Sequence, residues 1–246
     1  MKKYLPLILF AAGLLVLGAV FYFIARSTKE TKGPEEEAAL IEVALSDRPV
    51  ASLTPSDDGH WLTLKIEKLK IDAISLDYEL LYTLPDGRTQ GVPGSINIKG
   101  GADIERKLLL GSESSGKFRY DEGVEEGTLT LKFRNDDGKL VAKFSTKFHL
   151  QSNTKEVSSV DGQIKITLTK TPAKTFFVTM ETFGVYAEVP AALREGPWGV
   201  FSSSKTKLSG KVDLEVSTRI YRASGTRWEE LTGGTTNDLG IFIGTD

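Results

Sequence analysis

The fold class turns on residues 128–150, Thr-Leu-Thr-Leu-Lys-Phe-Arg-Asn-Asp-Asp-Gly-Lys-Leu-Val-Ala-Lys-Phe-Ser-Thr-Lys-Phe-His-Leu. Leu129, Leu131 and Phe133 share one face of an extended chain, and Thr128, Thr130 and Lys132 share the other. Asn135-Asp136-Asp137-Gly138 supplies residues that accept positive φ, the chemistry of a tight turn. Residues 139–150 follow at once as the antiparallel partner. The stretch is a β-hairpin with one buried face.

The same period extends outward in both directions. On the amino-terminal side it covers residues 61–67, 74–82, 94–98 and 107–110, with Pro85-Asp86-Gly87 as an intervening turn. Six or seven strands within about 100 residues is the spacing of an antiparallel sandwich. On the carboxyl-terminal side the expected strands are 163–169, 175–183, 185–189, 198–201, 211–216, 219–222, 228–231 and 240–244. Residues 127–148 and 162–183 have equal length and similar hairpin patterning, which reflects shared β grammar and not a proven repeat. The polar interval 151–156 is the expected boundary between two sandwiches, 47–151 and 152–246.

The amino terminus is of a different kind. Residues 4–25, from Tyr4 through Leu15 to Ala25, contain no charge. As a helix they extend about 33 Å, enough to cross a hydrocarbon core of about 30 Å. Met1-Lys2-Lys3 before an apolar run also begins secretory signals, but a signal's apolar region is shorter and ends in small residues, whereas Phe23 stands in the outer small-residue position. A retained single-pass anchor is therefore expected, with cleavage and secretion as the alternative. Tyr4 and Tyr22 mark the interfaces. Lys2 and Lys3 on one side are nearly matched by Arg26, Lys29 and Lys32 on the other, so charge does not orient the span. Residues 26–46 read as a polar tether followed by a short helix, since Pro34 with Glu35, Glu36 and Glu37 suits a helix start. Residues 40–45 are alternatively a first strand.

Composition removes several classes of function. The chain has 31 basic and 33 acidic residues and lacks the basic surplus by which nucleic-acid binders neutralise phosphates, so no nucleic-acid partner is expected. It has no cysteine, hence no disulfide, thiol nucleophile, thiolate metal site or lipid attachment site.

The motifs with possible chemistry are incomplete. Gly111-Ser-Glu-Ser-Ser-Gly-Lys117 matches a phosphate-binding loop until Phe118, which stands where a magnesium-binding hydroxyl belongs, and no convincing helix follows. An inter-strand loop is expected. Ser114-Ser-Gly-Lys117 and Ser202-Ser-Ser-Lys205 have Ser-x-x-Lys spacing, but the companion Ser-Asp-Asn and Lys-Thr-Gly elements are missing. His60 and His149 are the only imidazoles; one falls in a turn and one in a strand, both read as surface positions. Asp57-Asp58 and Asp136-Asp137 are explained by turn chemistry better than by calcium binding. No catalytic residue, cofactor site or metal site is assigned. Trp61, Trp198 and Trp228 offer flat faces that could stack on sugar rings, although core packing is the commoner use. Trp198, between Gly196-Pro197 and Gly199, is the expected exposed one; Trp198 and Trp228 are the candidate ligand contacts.

The closing pattern, Tyr221, then Gly225-Thr-Arg-Trp-Glu-Glu-Leu231 and finally Leu239-Gly-Ile-Phe242, resembles the last hairpin of immunoglobulin-like or fibronectin-III-like modules in bacterial cell-surface proteins. Thr182-Phe-Gly-Val-Tyr186 is similar to the tyrosine corner of immunoglobulin folds, without the partner cysteine. The resemblance implies two immunoglobulin-like sandwiches outside the membrane. The expected function is a non-catalytic binding or spacer module with a protein or cell-wall glycan partner. A carbohydrate reader using the tryptophans is the second reading, and a serine hydrolase in the Ser-Lys loops the third.

Overall fold

The computed structural model describes residue 40 and residues 42–98 and 101–246; the expected span at 4–25 and its markers Tyr4, Leu15 and Ala25 lie outside these residues. Among the described residues no helix is long and apolar enough to cross a membrane. Residues 40–246 form one compact unit.

The unit is mainly β. Its strands are β1 (Val50–Pro55), β2 (Trp61–Glu67), β3 (Ser75–Thr83), β4 (Thr89–Asn97), β5 (Ile104–Leu109), β6 (Gly111–Ser114), β7 (Lys117–Tyr120), β8 (Glu126–Arg134) and β9 (Leu140–Ser152). The second half contributes β10 (Glu156–Ser158), β11 (Ile164–Leu168), β12 (Phe176–Glu181), β13 (Leu193–Ser202), β14 (Gly210–Leu214), β15 (Arg219–Ser224), β16 (Arg227–Glu230), β17 (Thr235–Thr236) and β18 (Gly240–Thr245). The hairpin on which the fold class turned is β8–β9, with Thr128 opposite Lys147 and Phe133 opposite Ala142. All pairings of these strands are antiparallel.

Nine strands join in one sheet, in the order β16-β15-β18-β13-β12-β9-β8-β3-β4. The expected boundary at 151/152 falls at the end of β9, which pairs with β12 through Phe176 opposite Ser152 and Met180 opposite Phe148. The sheet therefore runs without a break from the first half of the chain into the second. A three-stranded sheet, β1-β2-β5, and a four-stranded sheet, β10-β11-β14-β17, complete the packing.

These two small sheets cover opposite faces of the large one. Successive residues of a strand point to opposite faces. In β12, Val178 and Met180 enter the core that holds Leu53, Leu64 and Ile66 of the three-stranded sheet. Phe177, between strand neighbours on the other side, enters the core that holds Ile164, Ile166 and Val212 of the four-stranded sheet. Phe177, Val178, Thr179 and Met180 are accordingly all buried. A third, smaller cluster, Val185, Tyr221 and Ile243 with Trp228 and Val189 against it, fills the far end of the sheet.

Two local expectations are corrected. Residues 185–189, expected as a strand, are irregular. They are held by side chains instead of a ladder: Tyr186 Oη donates to Glu67 Oε2 at 2.5 Å, and Lys68 Nζ donates to the carbonyl of Val185 at 2.5 Å. The Tyr186 hydroxyl thus meets a carboxylate, not the backbone acceptor of a tyrosine corner. Of the short helix expected from Pro34 to about Leu45, residues 34–39 and 41 lie outside the described residues; residues 42–44 are not helical, and a 3₁₀ turn follows at Leu45–Asp47.

Candidate functional site

The stretch expected as a plain loop, Gly111 to Phe118, is a hairpin of its own. β6 and β7 pair from Gly111 opposite Tyr120 to Ser114 opposite Lys117. Ser115 (φ 50°) and Gly116 (φ 75°) form the tip, the two consecutive positive angles of a tight hairpin turn. The glycine and lysine that imitate a phosphate loop are therefore turn chemistry. Ser114 and Lys117 flank an exposed tip, and Ser202 with Lys205 lies where β13 runs out.

The hairpin base is fixed at three points. Leu110 N donates to the His60 carbonyl at 2.8 Å and Asp121 N to the Leu110 carbonyl at 3.0 Å. Tyr82, 1% exposed, donates its hydroxyl to Asp121 Oδ2 at 2.8 Å. Burial, and then the hydrogen bond to Asp121, push the phenol well above its ordinary pKa. Gly111, at φ 149°, passes so close to the Arg119 carbonyl that a Cβ there would collide with it.

Residues 112–120 are all exposed, yet the hairpin carries two large rings, Phe118 (45% exposed) and Tyr120 (38%). Both lie on one face, being two residues apart in a strand. Tyr120 stacks on His60, with ring centres 4.1 Å apart and planes 8° apart. Phe118 packs edge-to-face with Trp61, their ring centres 5.6 Å apart. Rings from two distant segments thus form a half-open aromatic patch.

The patch borders a cleft of about 530 Å³. Its lining includes His60, His149, Asp58, Asp121, Glu122 and Glu125, and among the described residues no lysine or arginine. The turn 56–60 presents His60. Ser56 Oγ donates to Asp58 Oδ1 at 2.5 Å and His60 N to the same oxygen at 3.1 Å. The Ser56 hydrogen bond, the largest influence, holds the Asp58 carboxyl below its ordinary pKa. Gly59, at φ 74°, sits beneath the Phe176 ring, where a Cβ would clash. His60 Nδ1 lies 3.2 Å from Asp58 Oδ2 without a hydrogen bond between them. Its Nε2 approaches Glu122 Oε1 at 3.4 Å. His149 Nδ1 donates to the Ser158 carbonyl at 2.8 Å.

No protein-family model, no curated protein and no solved structure matches the chain. The site is therefore read from its own chemistry. Its carboxylates supply acceptors and its rings supply π-faces. Among the described residues no group of three or more histidine and acidic side chains is arranged to hold a metal ion.

The tryptophans singled out in the sequence lie elsewhere. Trp198 is 8% exposed and packs in the core beneath the four-stranded sheet, so the ring expected to be exposed offers no open face. Its position in β13, opposite Phe242 of β18, turns it inward. Trp228 is half-buried against the third cluster and donates Nε1 to the Ala187 carbonyl at 3.3 Å. Neither residue lines the cleft; of the three, only Trp61 reaches the patch. The two histidines, read separately as surface residues, line one cleft together.

Proposed function

We propose that the chain is a single-pass, amino-terminally anchored protein whose immunoglobulin-like β unit lies outside the membrane and binds a partner without covalent chemistry. The observation that carries the binding part of this reading is the cleft with its half-exposed aromatic rim. The chain enters the described unit at Leu40, which lines a hollow with Phe144 and Phe183 near the start of β9. The cleft is lined by Gln151 and Ser152 at the end of β9. Phe144 and Gln151 are seven residues apart, about 24 Å along a strand. The cleft and the hollow lined by Leu40 therefore lie near opposite ends of β9. The apolar run 4–25 supports the anchor, and the closing hairpin β15–β16 with β18 supports the immunoglobulin-like reading.

The absence of cysteine makes location directly measurable. Ser115→Cys at the hairpin tip, in the full chain expressed in intact cells, is expected to react with a membrane-impermeant maleimide. Protection until the cells are permeabilised would reverse the orientation. For binding, the full chain in detergent is compared with its Phe118→Ala/Tyr120→Ala variant on a panel of cell-wall polymers, soluble polysaccharides and short peptides of either charge. Retention that the double variant loses is expected. Equal behaviour of both proteins across the panel would remove the hairpin as the contact surface.

A further inference from the structure

We propose that the cleft and the ring-bearing face of the β6–β7 hairpin dock a partner segment rich in lysine and arginine. This inference rests on the binding reading above and names the chemistry of its partner.

The argument is charge complementarity at an aromatic surface. Over the whole chain acids and bases almost balance, 33 against 31. The cleft departs from that balance: beside its two histidines it is lined by four carboxylates and, among the described residues, no lysine or arginine. The hairpin sorts its charges in the same sense. Glu113 stands opposite Phe118 in register and so shares the ring-bearing face, whereas Lys117 and Arg119 alternate onto the other face. The aromatic patch and the cleft meet at His60, which belongs to both.

The carboxylates are unequally engaged. Asp58 accepts from Ser56 and from the His60 backbone, and Asp121 accepts from Tyr82. Those two build the site. Glu122, with its side chain 82% exposed, meets only His60 Nε2, and Glu125 is exposed beside it. They are the acids free to take a guanidinium or ammonium group, the former with two parallel hydrogen bonds. Phe118 and Tyr120 add ring faces over which a cation is attracted by the ring quadrupole. A polyanion would meet four like charges in the cleft and is rejected. A neutral glycan uses the rings but gains nothing from the segregation of charge.

The test uses the full-length chain in detergent and a dye-labelled octa-arginine peptide, followed by fluorescence anisotropy. Binding is expected to weaken at least tenfold between about 50 and 300 mM salt, because exposed charges are screened over a Debye length. Glu122→Gln/Glu125→Gln is expected to weaken it about tenfold or more, and Phe118→Ala/Tyr120→Ala by a comparable factor. Asp213→Asn/Glu215→Gln, a loss of two exposed acids that do not line the cleft, is expected to leave it within twofold. Circular dichroism and melting of each variant confirm the fold. No binding by the unsubstituted protein, or equal weakening by the Asp213/Glu215 pair, overturns the inference. Octa-glutamate or a neutral polysaccharide bound in a Phe118- and Tyr120-dependent manner, with Glu122→Gln/Glu125→Gln harmless, would also overturn it while leaving the hairpin as a binding surface.

Discussion

Tyr82 and Asp121 join the core to the site: a phenol that is 1% exposed donates to Asp121 Oδ2 at 2.8 Å, and the residues on either side of Asp121 are the last ring of the hairpin and the first free carboxylate of the cleft. The ring of Tyr82 is part of the core beneath the three-stranded sheet. Its hydroxyl is thereby aimed from a rigid strand at the point where β7 ends. Hydrogen bonds to charged groups are worth more than neutral ones, about 1.5–3 kcal/mol.

Tyr82→Phe keeps the packing and removes that bond. The variant is expected to lose about 1–3 kcal/mol of stability. The amide of Asp121, which donates to the Leu110 carbonyl, is expected to exchange faster than amides in β8 and β9. Hydrogen exchange followed by mass spectrometry reads both. Unchanged exchange at the hairpin base would show that the Tyr82 hydroxyl does not hold it.

The two large cores share strand β12, and this predicts how the protein unfolds. Phe177→Ala empties space on one face and Met180→Ala on the other, at sites 0% exposed. Costs of about 3–5 and 2–5 kcal/mol are expected respectively. Because one sheet backs both cores, each variant is expected to shift a single transition, with far- and near-ultraviolet dichroism coincident. Two separated transitions, each moved by only one variant, would mean that the cores melt independently.

How much of this was readable depends on how each strand is covered. β2, β8 and β11 have one face in a core and one in water, so Leu62-Thr63-Leu64-Lys65-Ile66 and Ile164-Lys165-Ile166-Thr167-Leu168 display period two openly. In β12 both faces are buried, and Phe177-Val178-Thr179-Met180 shows no alternation from which its sharing by two cores could be read. Residues 185–189 alternate apolar and polar yet form no ladder, because Val185 and Val189 cover the third cluster while Tyr186 reaches across to Glu67. The β6–β7 hairpin buries neither face, and its only sequence signal was Ser115-Gly116 at the tip. The site is built from residues near 60, 120 and 150, and no local spacing connects them. A tryptophan between Gly196-Pro197 and Gly199 suggested exposure, but Gly199 lies against the Phe201 ring and Trp198 faces the core.

That burial has an optical consequence. Trp198, at 8% exposure, is expected to give the tryptophan emission most resistant to acrylamide, since Trp61 and Trp228 are more open. Trp198→Phe should remove this protected component and leave the quenchable remainder. Its Nε1 is buried without a hydrogen-bond partner, so phenylalanine relieves an unpaired donor even as it leaves a gap. A quenching curve unchanged in the variant would place Trp198 at the surface.

Glu181 gives the protein a pH dependence of definite sign. It lies beside Arg48 in the hollow that Leu40 and Phe183 line. Burial, the dominant influence, raises its pKa above the usual 4.5, and Arg48 opposes this only in part. The folded protein therefore holds the Glu181 proton more tightly than the unfolded chain does. The stabilisation this provides is complete below about pH 4.5 and is lost as pH rises through the folded value. At neutral pH the carboxylate is charged at a net cost. Glu181→Gln is expected to be the more stable protein at pH 7, by under about 1 kcal/mol, or on the order of 2–4 °C in Tm for a chain of this size. The advantage should shrink on acidification and vanish below the unfolded pKa. Melting curves from pH 3.5 to 8 test this. A variant less stable than the parent at pH 7, with the deficit shrinking in acid, would show that attraction to Arg48 outweighs burial.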